Sequence, residues 1–210
     1  KAEETTDTKS DLLKQASNKD AEEKVEKNVN PLFSVLMPNP YQSGCLVGYA
    51  AVTDTARVDS LLRLPEAQQI LPSDVALLWG QKGISKAEMD SLTSRIPQAK
   101  LQFGDRPRDG YIYELYAINL SSGQNGHAPL EGDVVTESKA DFDQHGNPVV
   151  TMKMNPDGSR IWAALTEANV NHCVAVVLDG QVYSAPNVKG KIDGGSTEIS
   201  GNFTLTETKE

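Results

Sequence analysis

Three histidines, two cysteines and a run of carboxylates are the side chains of this 210-residue chain whose chemistry could amount to a site. His127 and His145 lie among Gly and Pro residues that mark loops. His172 falls where a helix should end, a position at which the helix dipole favours an imidazolium. A nucleophile needs an activating neighbour, and the sequence offers none by pattern: it has no Gly-x-Ser-x-Gly elbow, and no Ser is followed three positions later by Lys. The phosphate-cradling patterns GxGxxG and GxxxxGK[ST] are absent too, so nucleotide binding has no support.

Cys45 and Cys173 make no metal-ligand spacing with one another or with the histidines. They read as two small buried hydrophobes in preference to a long-range disulfide, and the redox compartment stays open. Asp141-Phe142-Asp143-Gln144-His145-Gly146 has the outline of a calcium loop, two carboxylates followed by a glycine at the sixth position. His145 replaces the third polar ligand and Met152 the closing glutamate, so a solvated turn before a strand is the better reading. Glu131, Asp133, Glu137, Asp141 and Asp143 form an acidic run opposed only by Lys139. Paired carboxylates can hydrolyse glycosides when a cleft holds them at a fixed separation, but in an acidic chain such a run reads first as a solvated face. Gly194-Gly195 before Ser196-Thr197 suits an anion-binding nest, and suits a plain turn better. The residues thus give no catalytic, metal-binding or cofactor-binding constellation.

The elements that would position any site are clearer. With 20 Lys+Arg against 29 Asp+Glu, the net charge is −9, and no basic cluster exists to meet a phosphate backbone, which excludes general nucleic-acid binding. The longest apolar run, Cys173 to Leu178, is far below the roughly 20 residues that cross a bilayer. Residues 1–30 are polar and lack aromatics, so they read as a flexible linker or a loose helix.

Packed structure should begin at Asn30-Pro31, a helix-start pair. Cys45–Val52, Val75–Trp79, Tyr111–Ile118 and Val149–Met154 read as strands, with a short helix capped by Asp54 or Thr55 and a polar helix or loop from Ser85 to Ile96. Asn155-Pro156 opens a second helix, whose apolar face of Ile161, Trp162, Leu165 and Ala168 should pack on the following strands through Val174, Val176 and Val182. Asp179-Gly180 predicts a type I′ hairpin, and Gly194-Gly195 turns into a last strand, Thr197–Ser200. Helices and strands mix without regular alternation. The fold class is α+β, with a mixed, largely antiparallel sheet packed with helices. The capping box Thr204-x-x-Glu207 starts a helix that the sequence does not complete, so the chain reads as a piece of a longer protein.

The order of residues goes further. Pro129-Leu130-Glu131-Gly132-Asp133-Val134-Val135, then Asp141-Phe142-Asp143 through Gly146-x-Pro148-Val149-Val150, resembles the periplasmic domain of the SecD family of protein-export membrane subunits. The same holds for Met154-Asn155, for Val174 through Leu178-Asp179-Gly180-x-Val182-Tyr183-Ser184-Ala185-Pro186-Asn187-Val188, and for Ile192-x-Gly194-Gly195 and Ile199-Ser200-Gly201-Asn202-Phe203-Thr204. The wording Leu130-Glu131-Gly132-Asp133 and Tyr183-Ser184-Ala185-Pro186 looks like the fused SecDF type. Asn30-Pro31-Leu32-Phe33, Val47-Gly48-Tyr49-Ala50, Ile70-Leu71-Pro72 and Tyr113 to Ile118 fit one branch more weakly.

The resemblance implies a mobile periplasmic head subdomain over residues 31–203, with 204–210 the start of a truncated helix leading to the base and membrane parts. It implies a non-enzymatic role with no cofactor: assistance to proton-gradient-driven translocation by transient capture of emerging, unfolded preprotein. The implied partners are the SecYEG translocon and the SecF part, and the membrane is met only through flanking segments. The family's proton-carrying residues lie in membrane helices outside this sequence, so no site residue carries over. Capture of many sequences should use a sheet edge or a shallow apolar groove. An edge strand and the Leu32–Met37 segment are the candidates, with core packing favoured for the latter. A reading of a different class is a periplasmic hydrolase or glycan-binding domain that uses the acidic run.

Overall fold

The computed structural model describes residues 30–40, 44–84, 88, 91, 94, 111–120, 127–201, 203–206 and 208–209. The expected linker before Asn30, most of the Ser85–Ile96 element, the loop 121–126 and Glu207 of the capping box lie outside the described residues.

Local chemistry starts most elements where the residue types demand. Asn30 Oδ1 accepts the Leu32 N–H at 3.0 Å and Pro31 opens a single 3-10 turn, Pro31–Ser34. Strand β1, Met37–Pro38, is short because proline removes a ladder donor. After it come β2 (Leu46–Ala51), α1 (Thr55–Leu62), α2 (Pro65–Gln68), β3 (Val75–Trp79) and β4 (Ile112–Asn119). Strands β5 (Val135–Phe142) and β6 (Pro148–Met154) follow, then α3 (Pro156–Ala168), β7 (Val176–Leu178), β8 (Gln181–Ser184) and β9 (Ser196–Ser200). Helix α3 begins as expected, with Asn155 Oδ1 accepting the Gly158 N–H at 2.8 Å. The β7–β8 turn has positive φ at both Asp179 (49°) and Gly180 (76°), the geometry of a type I′ hairpin.

The fold is α+β, and every paired strand is antiparallel to its neighbour. The strands divide into a four-stranded sheet, β1-β2-β4-β3, a three-stranded sheet, β5-β6-β9, and the β7-β8 hairpin. Close approach of β1 to β2 requires Gly48, where a Cβ would stand 2.3 Å from the Met37 carbonyl oxygen. The four-stranded sheet has two different faces because side chains alternate along β4. Leu115 points to the side of the Pro31–Ser34 turn and α1, burying itself with Leu36, Ala50 and Val58. Ile112 packs with Met37 and Tyr49 in a separate cluster. The Leu32–Met37 segment serves this core: Val35, Leu36 and Met37 are buried.

Two expectations are corrected. Cys45 and Cys173 are not separate thiols but a disulfide, with Cα atoms 6.1 Å apart. The pairing depends on tertiary structure, since Cys45 leads into β2 while Cys173 follows α3 through Asn171, which sits at φ 66°. The face of α3 is also not the apolar one expected. Ile161 and Ala168 are exposed and Trp162 and Leu165 half-buried, whereas Gly158 and Thr166 are buried. The helix packs through its small positions, onto β6 and Val134 at Gly158 and onto the Ile192–Gly195 segment, where the Ile192 N–H donates to Thr166 Oγ1 at 3.0 Å.

Candidate functional site

The carboxylates that stood out in the sequence are spread along the surface. β5 is an edge strand, and Glu137 and Asp141 extend from it to lysines: Lys153 at 2.7 Å and Lys139 at 2.9 Å. Each lysine donates a hydrogen bond that holds its partner's carboxyl below the usual range. Asp143 builds the β5–β6 turn, accepting the backbone N–H groups of His145 and Asn147 and the Asn147 side-chain amide, all at 2.8 Å. Those bonds lower its pKa, and they use the oxygens that a calcium ion would need. Glu131 Oε1 lies 3.0 Å from Nδ1 of exposed His127. His172 Nδ1 lies 3.2 Å from the Val170 carbonyl oxygen. Gly194 and Gly195, at φ 99° and 69°, form the turn before β9.

The feature that gathers side chains lies elsewhere, in a cleft of about 980 Å³ between the two sheets. Tyr49, Glu114 and Tyr116 form the wall on the four-stranded sheet. Ser138, Ala140, Val150, Met152 and Ile199 line the wall on the three-stranded sheet. The hairpin contributes Val176 and Val182, and Ala185, Pro186 and Phe203 complete the lining. The hairpin is fixed to the first sheet at both ends. The Gln81 N–H donates to the Val182 carbonyl at 2.9 Å, and the disulfide ties the start of β2 to the chain entering β7. Ser184 Oγ donates to the Ser200 carbonyl at 2.9 Å, joining the hairpin to β9. The cleft is therefore a trough with braced walls and a mainly apolar lining that also includes Lys82, Glu88, Lys139 and Lys209, of a size to hold an extended segment.

Glu114 and Tyr116 form a half-buried pair in its wall. Tyr116 donates to Glu114 Oε2 at 2.8 Å. Burial nevertheless pushes the Glu114 carboxyl above its usual range, and the nearby Glu88 adds to the shift. Burial and the Glu114 charge together push the Tyr116 phenol far upward. A carboxyl whose folded pKa exceeds its unfolded one binds more protons in the native state. Its stabilising contribution is complete below the ordinary value of 4.5 and is lost as pH rises through the raised pKa. Glu114→Gln should therefore raise the melting temperature at pH 7, with the gain over the parent shrinking as pH falls toward 4.5. Equal melting temperatures at both pH values would contradict this.

Sequence reasoning missed the cleft because its walls come from segments far apart in the chain. The alternation of β4, with Glu114 and Tyr116 on the face opposite Leu115, was the one available signal.

Comparison with known proteins gives related results. Residues 120–210 match the family described as SecDF, P1 head subdomain. The protein translocase subunit SecD of Rhodothermus marinus is 35% identical over 185 residues, which is 88% of this chain and 25% of that protein. The SecD subunit of Dictyoglomus turgidum is 40% identical over 130 residues, 62% of this chain and 32% of that one. The chain thus spans a third or less of the length of these relatives. Among solved structures, a translocon-associated SecDF from Thermus aligns with 69% of this chain and 19% of its own, at 23% identity and a TM-score of 0.37.

Proposed function

The chain belongs to the SecD/SecDF family of protein translocase subunits, with residues 120–210 matching the P1 head subdomain, and we propose that it captures unfolded preprotein transiently as it emerges from the translocon. In this reading residues 31–203 are a non-enzymatic head on the periplasmic side of the bacterial inner membrane. It acts beside SecYEG and the SecF part, within a protein that couples the proton gradient to translocation.

The observation that carries the reading is the braced, largely apolar cleft between the sheets. Apolar walls accept many side chains without a specific polar match, as a handler of varied sequences requires. The Cys45–Cys173 disulfide suits an oxidising compartment outside the cytosol. Capture must also be weak, because a tight clamp would stop the chain it is meant to advance. Dissociation constants should be no tighter than about micromolar, near −8 kcal/mol. The net charge of −9 should favour basic segments at low salt and lose that preference as salt screens it.

Titration of a labelled, reduced and unfolded secretory polypeptide, with its folded form as control, tests the reading. Saturable binding of the unfolded form alone is expected. No binding at millimolar concentration overturns it, as does measurable turnover of an ester, peptide or glycoside. Glu137 and Asp141 pair with lysines along β5 and Asp143 is bonded into the β5–β6 turn, so these carboxylates lend the hydrolase or glycan-binding reading no support.

A further inference from the structure

The three-stranded sheet ends on β5, and the pairing of that strand fixes where its backbone groups point. At the β5–β6 turn the Asp143 N–H donates to the Asn147 carbonyl at 2.9 Å. That bond places the odd-numbered residues of β5 in hydrogen-bonded pairs with β6, Asp141 opposite Val149 and Lys139 opposite Thr151. The far side of β6 agrees. There the Met154 N–H donates to the Gly195 carbonyl at 2.8 Å, which turns the even-numbered residues of β6 toward β9 and its odd-numbered ones toward β5. The N–H and C=O groups of Ser138 and Ala140 must then point out of the sheet. Neither residue has a backbone partner on that side among the described residues. The open stretch stops at Phe142, whose N–H is taken by Asp141 Oδ1 at 2.9 Å.

This open edge borders the cleft. Ser138 and Ala140 line it, and so do Met152 and Val150, which stand opposite them on β6. A strand added beyond β5 would extend that wall and turn every second side chain toward the cleft. Edge strands are ordinarily guarded against pairing by charge, proline or a bulge. From Glu137 to Phe142 there is no proline, and the register shift against β6 lies before Glu137. The charges that are present have partners within the sheet: Glu137 is held to Lys153 of β6 at 2.7 Å, and Lys139 to Asp141 at 2.9 Å.

We propose that the edge of β5 is a docking site for an extended polypeptide strand, which pairs with the outward backbone groups of Ser138 and Ala140 and turns alternate side chains into the cleft. This rests on the capture reading above and names the backbone groups that would hold the captured segment. The occupant is an extended backbone because two outward donor–acceptor pairs, spaced two residues apart on one strand, match the repeat of another strand. Recognition then depends on the ligand's main chain and tolerates varied sequence. A second copy of this chain is disfavoured as occupant. Pairing Ser138 of one β5 antiparallel with Ala140 of another would set Lys139 against Lys139 and Glu137 against Asp141, like charges directly opposite. Two molecules of net charge −9 also repel as wholes.

The test is amide hydrogen exchange, residue by residue, on the intact chain, with and without a short uncharged Val/Thr-rich peptide. In the free protein the Ser138 and Ala140 amides should exchange quickly, and those of Lys139 and Asp141 slowly. At saturation the Ser138 and Ala140 amides should slow by at least about tenfold, while Lys139 and Asp141 change little. The same peptide with every central amide N-methylated should bind at least about tenfold more weakly, since it cannot donate to the edge. Ala140→Pro removes one outward donor without removing a bond to β6, and should weaken binding at least about fivefold. Saturable binding with no new protection at Ser138 and Ala140, or equal affinity for the methylated peptide, overturns this proposal and leaves capture in the cleft standing. So does binding of the unfolded polypeptide but not of the peptide, or unchanged affinity in Ala140→Pro. Protection that grows with protein concentration alone would assign the edge to a second copy and overturn the choice of occupant. Absence of binding by both this peptide and the unfolded polypeptide overturns both readings.

Discussion

Breaking the Cys45–Cys173 bond should cost the fold about 5 kcal/mol. The bond closes a loop across 128 residues of sequence separation. For a loop of that length the chain-entropy account puts the freedom returned to the unfolded state at about 5 kcal/mol, and losses of native disulfides from small domains typically run from about 2 to 5. Against a total stability of about 5–15 kcal/mol, that is a large fraction. The native state would suffer as well, because the bond braces one side of the cleft. Without it, the hairpin keeps the parallel bridge of Gly80 with Val182, the buried Val182 side chain and the Ser184–Ser200 hydrogen bond, each hydrogen bond worth about 1 kcal/mol. Denaturant titration of the oxidised chain and of a Cys45→Ser/Cys173→Ser double variant measures the difference. A loss below about 1 kcal/mol would mean that the unfolded chain is already held compact by other means.

Much of the fold was legible in local chemistry, and what was missed shares a physical cause. The Asn30-Pro31 and Asn155-Pro156 starts, the Asp179-Gly180 turn and the apolar strands at Val75–Trp79 and Ile112–Asn119 each declare themselves within a few residues. β5 did not, because one side of its alternation is Glu137, Lys139 and Asp141 and the other is Thr136, Ser138 and Ala140. With no apolar half, the two-residue period leaves no hydrophobic signal, and the strand reads as a charged loop. Helix α3 misled in the opposite way. It displays Ile161 and leaves Trp162 half-buried, yet it buries Gly158 and Thr166, since close approach to Val134 and Ile192 selects small residues and a hydroxyl that can accept a backbone donor. The disulfide and the cleft are products of chain segments that meet only in three dimensions. No spacing rule could have joined Cys45 to Cys173, or Glu114 to Val150 and Val182.

Truncation of Leu115 should be the most damaging single change on β4, at about 3–5 kcal/mol for Leu115→Ala. The side chain is 1% exposed and packs with Leu36, Ala50 and Val58, each at 2% or less. A cavity made there would be enclosed by the sheet on one side and by α1 with the Pro31–Ser34 turn on the other. Neither can collapse easily: Gly48 already holds β1 against β2 at the limit of contact, and Trp79 anchors α1 to β3 through its indole N–H, 2.9 Å from Asp59 Oδ1. A rigid surround keeps the void open, which places the cost toward the upper part of that range. The adjacent position gives an internal control of opposite sign. Glu114 projects to the other face, where burial disfavours its charge, so Glu114→Gln should stabilise at neutral pH while Leu115→Ala destabilises. Denaturant midpoints of the two variants at pH 7 decide the matter. A Leu115→Ala loss below about 1 kcal/mol would mean that the helical side of the sheet is loosely packed, and that β4 does not divide a structural core from a binding face.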